Sequence, residues 1–267
     1  MVLVAFEHWP LIPAAIVVVG GFVLLAVAIG RLSNRLGKKE TRRDHNDLAG
    51  FIFAVLGVIY AVLLGFISVG VWERFTAAET RTYDEAGSLA IVYRDSEGFP
   101  EGAEIRRGIR AYVNTIVRDE WPRMQDGEES RVAEGEIENV ARMVRRADPK
   151  TAGQTDLHAA MLTAVTTALL DREARLSEDS TGLNAIMWLI VLAGAVITVS
   201  FTYLFGFTQE VMQTAMIGTL SLLIGLVIFL TMSLDYPFRG AIQVSPEAFT
   251  HVLMNLDHID RFAPNVR

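Results

Sequence analysis

A chain of 267 residues, 51 % hydrophobic and carrying a formal net charge of -7, has an acidic balance that argues against nucleic acid as a partner. It contains no cysteine, which excludes a disulfide framework, a thiolate metal site and a cysteine nucleophile. Four long uncharged runs alternate with charge-rich stretches, and this segregation predicts an all-α integral membrane protein with four transmembrane helices in a lipid bilayer.

The stretch from Met1 to Pro10 has no basic region, so Leu11 to Gly30 is expected to be a permanent first span rather than a cleaved leader. Trp9 suits the headgroup level and Pro10 a helix start. Arg31 to Asp47 is a short loop holding Arg31, Arg35, Lys38, Lys39, Arg42 and Arg43. Short loops rich in Lys and Arg stay in the cytoplasm. The loop at 31-47 is therefore expected to be cytoplasmic, with the helical domain and both termini extracytoplasmic. Arg74, Arg81, Arg172, Arg175 and Arg239, near membrane ends on the other side, count against this orientation.

Leu48 to Trp72 is uncharged and, at about 1.5 Å per residue, long enough to cross the hydrocarbon core. Gly50, Ala54, Gly57, Ala61, Gly65 and Ser68 recur at steps of four and three, which places them on one helical face. Ile52, Leu56, Ile59, Leu63 and Phe66 take the opposite one. The small face fits either a seam against another membrane helix or the lining of a pore. His45, Asn46 and Asp47 stand at the mouth of this span. They fit helix capping, with Asp47 at the positive end of the dipole, or an ion or proton site at a pore entrance. Glu73 and Arg74 are the corresponding mouth candidates at the other end.

The first hairpin therefore covers residues 1-72, and 73-182 reads as an extramembrane helical domain. Glu73 to about Ser96 continues the central span. Ile105, Ile109, Tyr112, Val113 and Ile116 mark a second helix, expected to end near Glu120-Trp121-Pro122 because proline disfavours a helical residue before it. Ser130 caps a third helix with Ile137, Val140 and Val144, and Leu157, Met161, Ala164 and Ala168 mark a fourth. Glu134, Glu136 and Glu138 do not share a helical face and read as solvated. Spans at 183-205 and 211-234 form a second hairpin. Thr214, Gly218, Ser221 and Gly225 make another small face, expected to be the mate of the central helix. Residues 235-267 are a C-terminal tail, in which His251, Asp257 and His258 read as an exposed polar helix rather than a metal site. The chain lacks a glycine-rich phosphate loop, a His-Glu-x-x-His motif and a Gly-x-Ser-x-Gly motif. No enzyme activity, catalytic residue, cofactor or metal is expected.

The run from His45 to Phe51, the stretch Gly57 to Phe66, Glu120-Trp121-Pro122, Leu234 to Gly240 and Val244 to Phe249 together resemble a bacterial family named bestrophin-like, over nearly the whole chain. That family is similar in turn to the bestrophins, chloride-permeable channels that are usually pentameric. The resemblance implies a helical region between the second and third spans and a second membrane helix lining a pore. It also implies a turn after the fourth span, which Asp235, Pro237, Phe238 and Gly240 match with Arg239 inserted. Bestrophins follow this turn with an acidic run that helps form a calcium clasp. Ala241 to Pro246 stands here instead, so calcium gating is not carried over. Bestrophins also keep the helical region in the cytoplasm, against the orientation that the basic loop implies. Two functions follow as expectations: a homo-oligomeric, anion-permeable ion channel that takes a small inorganic ion, or a non-conducting membrane scaffold or signalling protein whose helical domain binds a partner.

Overall fold

In the computed structural model, residues 10-36, 46-205 and 209-262 are described; His45 lies outside them. All regular structure among these residues is helical, and four helices are long and apolar enough to cross a membrane. The chain divides into two compact units. One comprises Met1–Glu73, Gly182–Asp235 and Gly240–Ile242, the other Arg74–Thr181, Tyr236–Arg239 and Gln243–Arg267.

The first unit contains α1 (Leu11–Leu36), the beginning of α2 (Asn46–Asp95), α7 (Ala185–Phe201) and α8 (Glu210–Leu234). Close approach in it depends on particular glycines. A Cβ on Gly30 would lie 2.7 Å from Ile217 and 3.2 Å from Tyr203, and one on Gly225 would lie 3.2 Å from Val19. The Tyr203 hydroxyl donates to the Ala26 carbonyl at 2.9 Å. The small residues of α8 thus face α1, not the central helix, and this corrects the expected pairing. Small residues mark where a backbone can come close, but a one-dimensional pattern does not say which helix supplies it.

Helix α2 meets α7 through larger side chains. Tyr60 lies over Gly194, where a Cβ would fall 2.5 Å from its ring, and its hydroxyl donates to the Val191 carbonyl at 3.2 Å. Against α8, the hydroxyls of Ser68 and Thr231 are 2.9 Å apart. Asp235, just past α8, accepts from Leu183 N at 2.7 Å and from Trp188 Nε1 at 3.1 Å. The Asn184 side chain caps α7 by accepting from Ile186 N.

The second unit holds the rest of α2, then α3 (Gly102–Thr115), α4 (Trp121–Met124), α5 (Arg131–Arg146), α6 (Ala152–Ser180) and α9 (Glu247–Phe262). Ser130 caps α5 by accepting from Ala133 N, and Thr151 caps α6 by accepting from Gln154 N, each supplying an acceptor to an N-H without a helical partner. The apolar stripes of α3, α5 and α6 close on one core, with Ile105, Ile109, Val113, Ile137, Val140 and Met161 fully buried.

One expectation fails in this unit and another is incomplete. The helix does not stop before Pro122; Ile116–Glu120 widens into a π-helical turn, and Trp121 N bonds the Ile116 carbonyl. Pro122 has no N-H to give and would crowd the carbonyl four residues back, so a wider turn carries the helix past it. In the tail, His251 and Asp257 are exposed on a helix as expected, but that helix has a second, apolar face. Ala248, Phe249, Val252 and Leu256 of α9 are buried in the core, and Trp121 meets Phe249 and Phe238 edge-on at centroid distances of 5.8 and 5.5 Å. Asp257 pairs with Arg110 at 2.7 Å. Its neighbouring polar residues masked the apolar stripe at steps of four.

Candidate functional site

The membrane-spanning part of α2 is the least covered of the four spans. Only 11 % of its most apolar window is buried by its own chain, against 33 % for α7 and α8. Tyr60, Leu64 and Val71 form its buried stripe. At 3.6 residues per turn, the predicted small face lies about a quarter turn to the side of that stripe. Ala54, Ala61 and Gly65 are exposed, and Gly50, Gly57 and Ser68 half-buried. A Cβ placed on Gly50, Gly57 or Gly65 would meet nothing within 4 Å, so the packing of this chain does not require glycine there, whereas at Gly30 and Gly194 it does. Beyond the small face come Phe51, Val58, Val62, Phe66 and Val69, all exposed, with Phe66 at 76 %.

The mouth candidates separate. Asn46 and Asp47 form the first turn of α2, where a negative charge suits the helix dipole. Glu73 is exposed. Arg74 is held to Glu178 of α6, its Nε 3.5 Å from the carboxylate, and so has a bridging role between two helices. The residues of the turn after the fourth span are also embedded in the fold. Asp235 ties the start of α7 as described. Phe238 is fully buried in the helical unit, and the Pro237 carbonyl accepts from Val244 N at 2.8 Å. Arg239 pairs with Asp179 at 3.3 Å and lies over the Tyr236 ring. Gly240 has a φ of +79°, the left-handed conformation that favours glycine.

Sequence reasoning missed a cluster of four buried charges in the helical unit. Arg175 of α6, with a fully buried side chain, donates from Nε to Glu85 Oε2 at 2.8 Å and from Nη2 to Glu120 Oε1 at 2.7 Å. Arg172 donates to Glu120 Oε2 at 2.5 Å, and the Tyr112 hydroxyl donates to Glu85 Oε1 at 2.6 Å. The Trp121 and Phe249 rings lie 5.2 and 5.7 Å from the Arg175 guanidinium, close enough for cation-π attraction. Two arginines thus balance two carboxylates. Burial pushes the Glu85 carboxyl above its ordinary range against the pull of Arg175, and raises the Tyr112 hydroxyl too. The π-helical turn places Glu120 at the core end of this arrangement. Through these bonds the cluster ties α2, α3, the π-helical turn and α6 together, although Arg172 Nε has no partner among the described residues. A signal was present: Arg172 and Arg175 fall on the same face of α6 as Met161, Ala164, Val165 and Ala168.

The same accounting covers every arginine that opposed the predicted orientation. Arg81 pairs with Asp171 at 3.0 Å, and Arg74, Arg172, Arg175 and Arg239 are engaged as above. Each is explained by folding of the helical unit.

Comparison with known proteins agrees with this architecture. A family model described as the Bestrophin-like domain matches residues 20–249. No curated protein matches the chain. Among solved structures, a bacterial bestrophin homolog from Klebsiella pneumoniae aligns with a TM-score of 0.66 at 15 % identity, covering 91 % of this chain and 98 % of that one. A structure of a Klebsiella pneumoniae bestrophin homolog carrying a mutation gives 0.67 at 14 %, over 92 % and 99 %. One described only as a membrane protein gives 0.66 at 14 %, over 91 % and 97 %. Identity this low shows a shared fold, while the family model spans most of the sequence, and on that match the chain belongs to the Bestrophin-like family.

Proposed function

We propose that this membrane protein is a homo-oligomeric, anion-permeable ion channel in which α2 stands nearest the axis. The observation that carries the reading is the exposure of α2: the central span leaves Ala54, Ala61 and Gly65 of its small face and its row of Phe and Val side chains exposed. Copies arranged around a closed rotation axis would cover that surface and enclose a path. The span carries no charge, so ion choice within the membrane rests on constriction size and aromatic edges, with polar groups acting at the mouths. Asp47 would repeat once per subunit in a ring, biasing the local ion concentration. Purified wild-type protein in planar bilayers is expected to carry current. Asp47→Asn should shift the reversal potential in a salt gradient toward greater anion permeability, most visibly at low salt, where screening is weak. No current from assembled protein at any tested voltage or pH would overturn the channel reading, and an unchanged reversal potential would remove Asp47 from the permeation path.

The orientation reading places the loop at 31-47 in the cytoplasm of a bacterial inner membrane and the helical unit outside. It is supported by the basic loop and by the folding roles of the opposing arginines. Ser130, the natural choice for a labelling site, is buried and caps α5, so the exposed Glu138 is better. In intact cells, a Glu138→Cys variant should react with an impermeant thiol reagent and a Lys38→Cys variant should resist it. The reverse pattern would invert the topology.

A further inference from the structure

We propose that a cleft in the helical unit, between α3 and α5, binds a small aliphatic α-amino acid as its zwitterion. The cleft has a volume of about 400 Å³, in the range of small-molecule sites. One wall is the face of α3 that carries Ala111 and Asn114 and runs on to Arg118 and Asp119 of the π-helical turn; the other is Val132 and Glu136 of α5. The two walls run antiparallel. The Ser130 hydroxyl meets Asp119 at one end, and Gly108 lies against Val140 and Met143 beyond the other. Arg118 therefore stands at the Val132 end of the cleft. Glu136 is four residues further along α5, about 6 Å at 1.5 Å per residue.

The charges lining the cleft are of both signs, and only one of them serves the fold. Asp119 is committed, accepting from Arg123 Nε at 2.9 Å and from the Ser130 hydroxyl. Arg118 is exposed and makes no ion pair or hydrogen bond among the described residues. Glu136 Oε2 is buried with no hydrogen-bond partner among them, an acceptor that lacks a donor. On the facing wall, Asn114 gives its Nδ2 to the Arg110 carbonyl at 2.7 Å, which leaves its Oδ1 as a second acceptor. A cation and a carboxylate that share a cleft without meeting are both satisfied by a ligand that carries both charges. An ammonium supplies three donors, enough for Glu136 and Asn114, and a carboxylate matches the fork of the Arg118 guanidinium. Val132, at 59 % exposure, and the exposed Ala111 offer carbon for an aliphatic side chain to cover. A simple amine would leave Arg118 unpaired, and a simple acid would leave Glu136 unpaired. A hard metal ion needs several oxygen ligands, which one uncommitted carboxylate beside an arginine does not provide.

Isothermal titration calorimetry of the full chain in detergent tests the site, with L-leucine as the ligand. Isopentylamine, which lacks the carboxylate, and isocaproate, which lacks the ammonium, are the comparisons. L-leucine should bind to wild type, and each comparison should bind about tenfold more weakly or worse, having lost one charge-assisted contact. Glu136→Gln and Arg118→Gln should each weaken L-leucine binding by about tenfold or more. Glu138→Gln, at an exposed position of α5 outside the cleft lining, should leave it unchanged. Circular dichroism checks the folding of each variant, and if one fails to fold, the ligand comparisons on wild type decide by themselves. No binding of L-leucine at about 10 mM, or binding that neither cleft substitution weakens, would overturn the site. Isopentylamine that binds as tightly as L-leucine, with Arg118→Gln without effect, would overturn the zwitterion. The readout is separate from current in bilayers: a protein that carries none still binds L-leucine if the cleft is a site.

Discussion

Arg175→Met should destabilise the helical unit by roughly 3–5 kcal/mol, because removing one partner from a buried ionic group leaves the other charge uncompensated. The side chain has no exposure and serves two carboxylates. In the variant, Glu85 and Glu120 would share the single remaining charge of Arg172. The double variant Arg175→Met/Glu85→Gln should recover much of the loss. It restores the one-to-one balance of Arg172 with Glu120, and an amide at position 85 still accepts from the Tyr112 hydroxyl. The two changes are therefore strongly non-additive.

The pH dependence follows from Glu85. Burial raises its folded pKa above the ordinary value of 4.5, so the folded state holds a proton more readily than the unfolded state does. Stability from this group is fully present below the ordinary value and is lost as pH rises through the folded one. The defect of Arg175→Met, which removes the main counter-charge, should accordingly shrink as pH is lowered from 7 toward 4.5. Thermal unfolding of the full chain in detergent, followed by circular dichroism across that range, measures both effects. An Arg175→Met protein within about 1 kcal/mol of wild type at pH 7 would mean that the four charges do not hold this core.

Gly102→Ala should cost about 3 kcal/mol or more, at the upper end of overpacking. An added Cβ would fall 1.9 Å from the Ser96 carbonyl oxygen and 2.8 Å from its carbon. Both are backbone atoms, so no side-chain rotation relieves the contact. The turn at Ser96–Gly98 would have to move. Ser96 is itself buried, with its hydroxyl on the Tyr93 carbonyl at 2.8 Å, and Phe99 on the other side of the turn is buried in the core. The strain therefore passes to α2 and α3 together. Gly135→Ala is the control: it lies within α5, where a Cβ meets nothing within 4 Å, and should stabilise by about 0.5–1 kcal/mol through lower chain entropy. Equal stability of the two variants would contradict the packing of α3 on the Ser96 turn.

The four membrane helices and the all-helical class were legible in the sequence, because lipid demands long uncharged runs and a backbone that satisfies its own hydrogen bonds. The caps Ser130 and Thr151 illustrate the same limit of range. Ser130 was readable from a pattern that spans one helical turn, whereas Thr151 caps its helix well ahead of Leu157, the first apolar residue that marks it. Pro122 marked the right place with the wrong outcome, since the sequence shows the missing N-H but not the core that holds a π-helical turn around it. Tertiary structure alone decided three things. It set α8 on α1 rather than on α2. It buried one face of α9 and the Glu85, Glu120, Arg172 and Arg175 cluster. It also left Ala54, Ala61 and Gly65 of α2 exposed, and gave Gly50, Gly57 and Gly65 no neighbour that requires glycine. The reason is common to all three: periodicity shows which residues share a face, but the partner of a face is chosen by shape and charge brought together from positions far apart in sequence.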